Sequence, residues 1–267
     1  MTSPLPAMGA GTFRLKEDVA YQSVKTALQL GYRHIDTAQI YGNEAEVGQA
    51  IADSGLDRGE LFLTTKVWLD NLDPARFIDS VKESLAKLKT DYVDLLLIHW
   101  PPKAGPSMED YLGCLQACRT QGLTRHIGVS NFTRAQMDEA IEILGSGALL
   151  TNQVEVHPYL QNALVVDHCE ANGIEVTAYM PLAVGKVLSD PVILGIADKH
   201  GVTPAQVTLA WVRQLEMATI PSSTKAANLE ANLASSNVTL DETDMAQIER
   251  LDRGERLANP DFAPDWD

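Results

Sequence analysis

Tyr32-Arg33-His34-Ile35-Asp36-Thr37-Ala38-Gln39-Ile40-Tyr41-Gly42-Asn43-Glu44 is the stretch whose reading decides the fold. It opens as a short buried strand through apolar Ile35 and sets a carboxylate, Asp36, at that strand's C-terminal end. Five residues on, the connecting loop carries a phenol, Tyr41. Asn43 is then expected to cap a helix whose inward side is Val47, Ala50 and Ile51. An acid at a strand end, with a tyrosine in the strand-to-helix loop, is how a parallel barrel presents reacting groups. Two later strands end alike: Leu61 to Lys66 delivers a lysine, and Val93 to His99 a histidine.

Outward from this stretch, strand and helix signals alternate without a linker-like segment. Gly9-Ala10-Gly11-Thr12 follows a short first strand expected near Leu5 to Met8, and a helix from Asp18 to Leu30 stops at Gly31. Asp73-Pro74 starts a helix with Phe77, Val81, Leu85 and Leu88 on one face. Val93 to His99 is nearly unbroken apolar sequence, as expected where both faces of a strand are buried. Ser107 is placed to cap a helix ending at Gly122, and Thr133-Arg134-Ala135-Gln136 has capping-box spacing. Further strands are expected at Ile127 to Asn131, Thr151 to Val156, Ile174 to Tyr179 and Ala218 to Ile220. Two helices in succession, Asp190 to His200 and Thr203 to Gln214, mean that one is an insertion in the repeat. Helices starting near Ala226 and Asp241 close the chain. Eight short strands alternating with helices favour an α/β fold, an eight-stranded parallel (β/α)8 TIM barrel, as a single domain over residues 1–267. The alternative is a doubly wound sheet, but Gly9-x-Gly11 lacks the third glycine of a dinucleotide fingerprint.

The chain has 267 residues, a length suited to one barrel, and a hydrophobic fraction of 45%, enough for a sizeable core. A net charge of −15 with no basic run argues against nucleic acid as a partner. Cys114, Cys118 and Cys169 show no zinc-like spacing with histidines and read as small buried residues in a reducing compartment. No secretory leader is expected, since Met1 to Pro6 has neither a basic segment nor an apolar core, and the apolar runs are of strand length, so no membrane span is expected. A cytoplasmic protein without a bound metal is the expectation.

Taken singly, Asp36, Tyr41, Lys66 and His99 each have a structural explanation, from loop satisfaction to a snorkelling lysine. Together, at the ends of successive strands, they make chemical sense as a unit. A tyrosine with a pKa of about 10 is a poor acid at neutral pH. A neighbouring ammonium stabilises the phenolate, and an aspartate keeps that ammonium charged and aimed. Lowering the phenol by about 2 pH units takes about 2.7 kcal/mol, within reach of one close cation in a low-dielectric cleft. The histidine can orient a substrate oxygen. Such a set protonates an oxygen while something else attacks the carbon.

The motifs then resemble the aldo-keto reductase family along almost the whole chain. Gly31 to Ala38 with Tyr41, Thr65-Lys66, and Leu97-Ile98-His99-Trp100-Pro101 match its tetrad segments in order. Ile127-Gly128-Val129-Ser130-Asn131-Phe132 and Asn152-Gln153-Val154-Glu155-x-His157-Pro158 match its nicotinamide-binding segments. Ala178-Tyr179-Met180, Ile220 to Lys225 and the ending Ala263-Pro264-x-Trp266-Asp267 narrow the resemblance to bacterial members that reduce keto-sugar acids.

The resemblance implies that Tyr41 is the general acid, that Lys66 with Asp36 lowers its pKa, and that His99 orients the carbonyl. Ser130, Asn131 and Gln153 would hold the nicotinamide carboxamide, and Tyr179 would stack on the ring. Gly11, Thr12, Pro181 and Leu182, then Ser222, Ser223, Thr224 and Lys225, then Asn228 and Asn232, would complete the cofactor site. Phe13, Trp68, Trp100 and Trp266 would line the substrate pocket. The implied reaction is NADPH-dependent reduction of a small dicarbonyl or keto-sugar acid, such as methylglyoxal or 2,5-diketo-D-gluconate, by a monomer.

The chain also departs from the family pattern. Many relatives carry an arginine for the adenosine 2′-phosphate where Asn228 stands, and Lys225 is the only cation in that loop. Losing a guanidinium fork removes bidentate phosphate recognition, so NADH stays open as an alternative cofactor. Met180 stands where a serine is common. Two other readings stay open from the residues alone. One is a nicotinamide-binding, redox-sensing module with little turnover; the other is a Schiff-base aldolase using Lys66.

Overall fold

The computed structural model describes residues 3–267. Eight strands form one curled sheet, all parallel and in sequence order. They are β1 (Ala10–Gly11), β2 (His34–Asp36), β3 (Phe62–Val67), β4 (Val93–Ile98), β5 (Thr124–Ser130), β6 (Leu149–Glu155), β7 (Glu175–Tyr179) and β8 (Ala218–Thr219). Backbone bonds also join the segments at the two ends of that order. Met8 bridges Thr219, the Gly9 amide donates to the Thr219 carbonyl at 2.8 Å, and the Thr219 amide donates to Ala7 at 2.9 Å. The first strand therefore lies slightly later than the expected Leu5 to Met8.

The helices cover the outer face: α1 (Glu17–Gln29), α2 (Glu44–Ala52), α3 (Pro74–Leu88), α4 (Met108–Thr120), α5 (Arg134–Leu144), α6 (Ala163–Ala171), α7 (Pro191–His200), α8 (Pro204–Gln214), α9 (Ala226–Ala234) and α10 (Glu242–Glu249). Their starts follow from local chemistry. Ser107, Thr133, Thr203 and Asp241 each accept the third helical amide, and the third residue bonds back. Asn43 is an exception. It precedes α2 but makes no capping bond; its amide instead donates to the carbonyls of Thr12 and Leu15, at 3.0 and 2.9 Å. It ties the loop after β1 to the loop after β2.

Alternation along the strands sorts the side chains. Leu63, Val67, Leu96, Ile98, Ile127 and Val129 face the helices and join Phe77, Val81, Leu85 and Leu112 in the main core. The opposite face points into the curl, where Leu5, Phe62, Leu95, Leu97 and Ala218 form a smaller apolar cluster. Gly128 permits the close approach of β5 and β6, since a Cβ there would sit 2.6 Å from the Thr151 carbonyl oxygen. Of the two consecutive helices, α8 packs on β8 and α9, whereas α7 lies against α8 and α10, outside the repeat. Cys118 and Cys169 are buried, Cys114 is partly so, and all three are free. Among the described residues no helix is long and apolar enough to cross a membrane.

Candidate active site

The four groups read from the strand ends reach one rim of the sheet by a shared device. Asp36 ends β2, Lys66 is the penultimate residue of β3, and His99 directly follows β4. Tyr41 closes a single 3-10 turn, Gln39–Tyr41, after which Gly42 takes a left-handed φ of 62°. That positive φ is cheap for glycine and turns the chain into α2.

The pairing inside the site is dense. Lys66 Nζ donates to Asp36 Oδ1 at 2.5 Å and to the Thr37 carbonyl at 2.9 Å, with both side chains buried. Gln153 Nε2 donates to the second Asp36 oxygen at 2.9 Å, and Thr12 Oγ1 donates to the Asp36 carbonyl at 3.0 Å. The Lys66 and Gln153 bonds to the two Asp36 oxygens offset part of the cost of burying the carboxylate. Lys66 Nζ lies 5.1 Å from the centroid of the Tyr41 ring. The His99 ring meets Tyr41 edge-on at 5.6 Å and Trp68 at 5.2 Å. Lys16 Nζ donates to the Tyr41 carbonyl and so fixes the tyrosine's loop from behind.

Electrostatics here differ from the sequence expectation in one respect. Lys66 was expected to make the phenol more acidic, but burial and the Asp36 charge hold the Tyr41 phenol well above 10. Burial is the larger cause, and the ammonium expected to offset it is bonded to Asp36. Burial also lowers Lys66, opposed by Asp36, and burial with the Lys66 charge puts His99 well below 6.5. At neutral pH the phenol is therefore protonated and the imidazole neutral. The His99 Nδ1 atom is buried without a partner.

A cavity of about 490 Å³ opens over these groups. Phe13, Ile40, Trp68, Trp100 and Phe262 supply its apolar wall, and Asp36, Tyr41, His99, Ser130, Asn131 and Gln153 its polar floor. The floor is internally bonded. Ser130 Oγ donates to the Gln153 carbonyl at 2.7 Å, and Asn131 Nδ2 to the His99 carbonyl at 3.0 Å. Tyr179 Oη donates to Asn131 Oδ1 at 2.7 Å, and Asn131 itself has a left-handed φ of 63°. Gln153, expected as a cofactor ligand, thus also belongs to the bonding of Asp36.

A second cavity of about 430 Å³ adjoins the first and shares Phe13, Arg14, Met180, Pro181, Pro221 and Ser222 with it. Leu182, Ser223, Thr224, Lys225 and Asn228 line its far part, beside the start of α9. A polar floor in one compartment, joined to a hydroxyl-rich helix start in the other, fits a group with a carboxamide at one end and phosphates at the other. Gly11 lines the first cavity. Thr12 and Asn232 are buried and line neither; Thr12 acts through Asp36.

The aromatic wall differs from expectation at one position. Phe13, Trp68 and Trp100 face the cavity, but Trp266 packs behind Trp100 at 6.0 Å, under the Arg256 guanidinium. Phe262 takes its place, edge-on to Trp68 and Trp100 at 5.5 and 5.4 Å. Leu257, Ala258, Asn259 and Pro260 complete that side. This C-terminal stretch, Leu257-Ala258-Asn259-Pro260-Asp261-Phe262, lacks helical or strand periodicity and breaks its apolar residues with Asn, Pro and Asp, so no local pattern marked Phe262.

Comparison with known proteins bears on this arrangement. Residues 7–253 match the model of the Aldo/keto reductase family. The chain is 55% identical over 265 residues to methylglyoxal reductase DkgB of Escherichia coli O157:H7, covering 98% of this chain and 99% of that protein. It is 43% identical to an aldo-keto reductase of Mycolicibacterium vanbaalenii, with 98% and 91% covered. Among solved structures, one provisionally named 2,5-diketo-D-gluconic acid reductase B superposes with a TM-score of 0.95 at 46% identity, covering 98% and 94% of the two chains. The aldose reductase of Schistosoma japonicum superposes with a TM-score of 0.91 at 30% identity, covering 98% and 95%.

Proposed function

The chain belongs to the aldo/keto reductase family, and from that premise we propose that it is an NADPH-dependent reductase of small dicarbonyls and keto-sugar acids, methylglyoxal and 2,5-diketo-D-gluconate among them. The observation that carries this reading is the meeting of Asp36, a protonated Tyr41 and a neutral His99 on one cavity floor, with Lys66 buried behind it and paired to Asp36. A reduced nicotinamide, the cofactor class of the family, supplies hydride to the carbonyl carbon when bound.

The residues do the rest. Neutral His99 offers one ring N–H to the carbonyl oxygen and aims it at the Tyr41 phenol. The raised pKa keeps that phenol loaded with its proton until negative charge develops on the oxygen beside it. Lys66 has three N–H donors, of which Asp36 and Thr37 take two; the third is free to stabilise the phenoxide as the proton leaves. Trp68, Trp100, Phe13 and Phe262 exclude water from the transfer.

Ser130, Asn131, Gln153 and Tyr179 would hold the carboxamide end of the cofactor. Gly11, Pro181 and Leu182 would pass its middle, and Ser222, Ser223, Thr224, Lys225 and Asn228 its phosphates. Lys225 supports the choice of NADPH, while Asn228 in place of a guanidinium keeps NADH use as the alternative. The bonds between the Met8 and Thr219 segments support closure of the sheet into a (β/α)8 barrel. A single-domain, monomeric, cytoplasmic enzyme completes the proposal, with free cysteines that suit a reducing compartment.

The test is consumption of reduced cofactor with methylglyoxal and with 2,5-diketo-D-gluconate, using NADPH and NADH separately. Turnover with NADPH preferred supports the reading. Binding of both cofactors without turnover on any carbonyl would instead favour the redox-sensing alternative.

A further inference from the structure

Residues 252–267 contain no helix and no strand, yet five of them, Leu257 to Pro260 and Phe262, form one side of the catalytic cavity. Apart from local turns such as the Ala263 amide to the Pro260 carbonyl at 2.8 Å, the strap has no regular backbone bonding of its own, so its position depends on what else receives its amide groups. The receiver at the cavity is one side chain. Glu155, the last residue of β6 and fully buried, accepts the Leu257 amide on Oε1 at 2.8 Å and the Ala258 amide on Oε2 at 2.7 Å. His157 Nε2 lies 2.8 Å from Oε1 and completes the carboxylate's partners. The strap has further ties. The Arg253 and Glu255 amides donate to the Tyr159 carbonyl at 3.2 and 2.9 Å, and Arg256 donates to Asn162 Oδ1 at 3.0 Å. Lys103 donates to the Asp261 carbonyl at 3.1 Å, Trp266 Nε1 to Asn259 Oδ1 at 2.8 Å and Arg134 to Asp267 at 3.1 Å. It is Glu155, however, that receives the amides of the wall residues Leu257 and Ala258. A carboxylate taken out of water is expensive unless N–H groups surround it, and here the strap provides two of those groups. Strap and carboxylate therefore hold each other. Gln153, two residues earlier on the same face of β6, bonds Asp36. One strand end thus carries both the tie to the catalytic floor and the tie to the wall above it.

We propose that Glu155 is a positioning residue for carbonyl reduction, fixing the backbone of Leu257 and Ala258 so that Phe262 and its neighbours present a set wall to the part of the substrate beyond the carbonyl. This rests on the reductase reading above. It assigns Glu155 to recognition of longer substrates, such as a six-carbon keto-sugar acid. A three-carbon dicarbonyl that hardly reaches the strap should depend on it little.

Glu155→Gln keeps the side-chain volume but turns one acceptor into a donor facing an amide. The variant should raise KM for 2,5-diketo-D-gluconate about tenfold, with kcat held within about threefold and methylglyoxal kinetics little changed. Phe262→Ala should raise the same KM. Its effect should largely vanish when combined with Glu155→Gln, because both act through the strap. Two further readouts need no turnover. In the wild type, the amides of Leu257 and Ala258 should exchange with solvent about 100-fold more slowly than those of Asn259 and Asp261. In Glu155→Gln, limited proteolysis should cut within 252–262 first. An unchanged KM for the keto-sugar acid, an equal fall in kcat for both substrates, or coil-like exchange at Leu257 and Ala258 would each overturn the assignment. Should Glu155→Gln not fold, the wild-type exchange pattern alone decides. If the wild type turns over no carbonyl, the reductase reading fails while exchange and proteolysis still report on the anchor.

Discussion

Toward the N-terminal side, the space inside the curled sheet is filled by Leu5, Phe62, Leu95 and Ala218, with Leu97 reaching further along β4 to the level of Lys66; the five are buried against one another. At the C-terminal end, a few residues along the same strands, sit Asp36, Lys66, His99, Ser130 and Gln153. The change is visible within single strands. Along β3 the inward residues run Phe62, Thr64, Lys66; along β4 and just beyond they run Leu95, Leu97, His99. Each step of two residues advances about 6.6 Å and keeps the same face. So the chain passes from packing to chemistry in about 13 Å without changing its backbone. The lower layer is mostly apolar and stabilises the fold, whereas the upper layer must bury charge, and does so by pairing it.

The contrast separates the expected effects of substitution. Lys66→Met should be the most damaging, because it strikes both properties at once. Asp36 would be left buried with only Gln153 as a side-chain partner, costing about 3–5 kcal/mol of stability, and kcat should fall by about 10² or more. Chemical denaturation and steady-state rates read the two losses separately. Leu95→Ala, in the lower layer, should cost about 3 kcal/mol through the cavity it leaves, with kcat/KM unchanged in whatever fraction stays folded. A large kinetic effect from Leu95→Ala would show that the two layers are not independent.

The smallest expected effect concerns His34, the more deeply buried of two histidines that pack on Phe62 in the lower layer, His126 being the other. His34 is buried edge-on to Phe62 at 5.0 Å, and burial lowers its pKa to about 4. Above pH 6.5 both folded and unfolded chains hold it neutral, so it adds no pH dependence. Between 6.5 and 4 the unfolded chain takes up a proton that the folded one refuses, and stability falls as pH falls. The loss attributable to this group amounts to at most about 3 kcal/mol by pH 4. His34→Gln should therefore flatten the stability profile between pH 6.5 and 4.5 by nearly one proton, about 1.4 kcal/mol per pH unit, as measured by urea midpoints. An unaltered slope would mean that His34 protonates freely in the folded chain.

What could be read from the sequence follows the range of the forces involved. Helix starts were legible because capping is local: Ser107, Thr133, Thr203 and Asp241 each meet their partners three residues away. The four catalytic candidates were legible because strand ends and residue chemistry coincide. Asn43 was misread because its amide bonds across the chain to Thr12 and Leu15, a contact that no local spacing shows. The tuning of Tyr41 was misread for a related reason. The sequence placed Lys66 near the phenol, but only the structure shows how deeply the phenol is buried and that two of the ammonium's three N–H groups go to Asp36 and Thr37. The C-terminal segment was placed at the pocket only by resemblance, through Trp266, and its anchoring was not legible, since that comes from Glu155, about a hundred residues earlier.

Carbonyl reduction as proposed turns on Tyr41 as the proton donor. Tyr41→Phe removes one oxygen at the cavity floor and leaves the Lys66–Asp36 pair in place. Its kcat for methylglyoxal and 2,5-diketo-D-gluconate should fall by about 10³-fold or more, with the affinity for reduced cofactor, followed by fluorescence titration, within about threefold of wild type. A Phe variant that keeps kcat within tenfold of wild type would contradict the account and return the proton to another group.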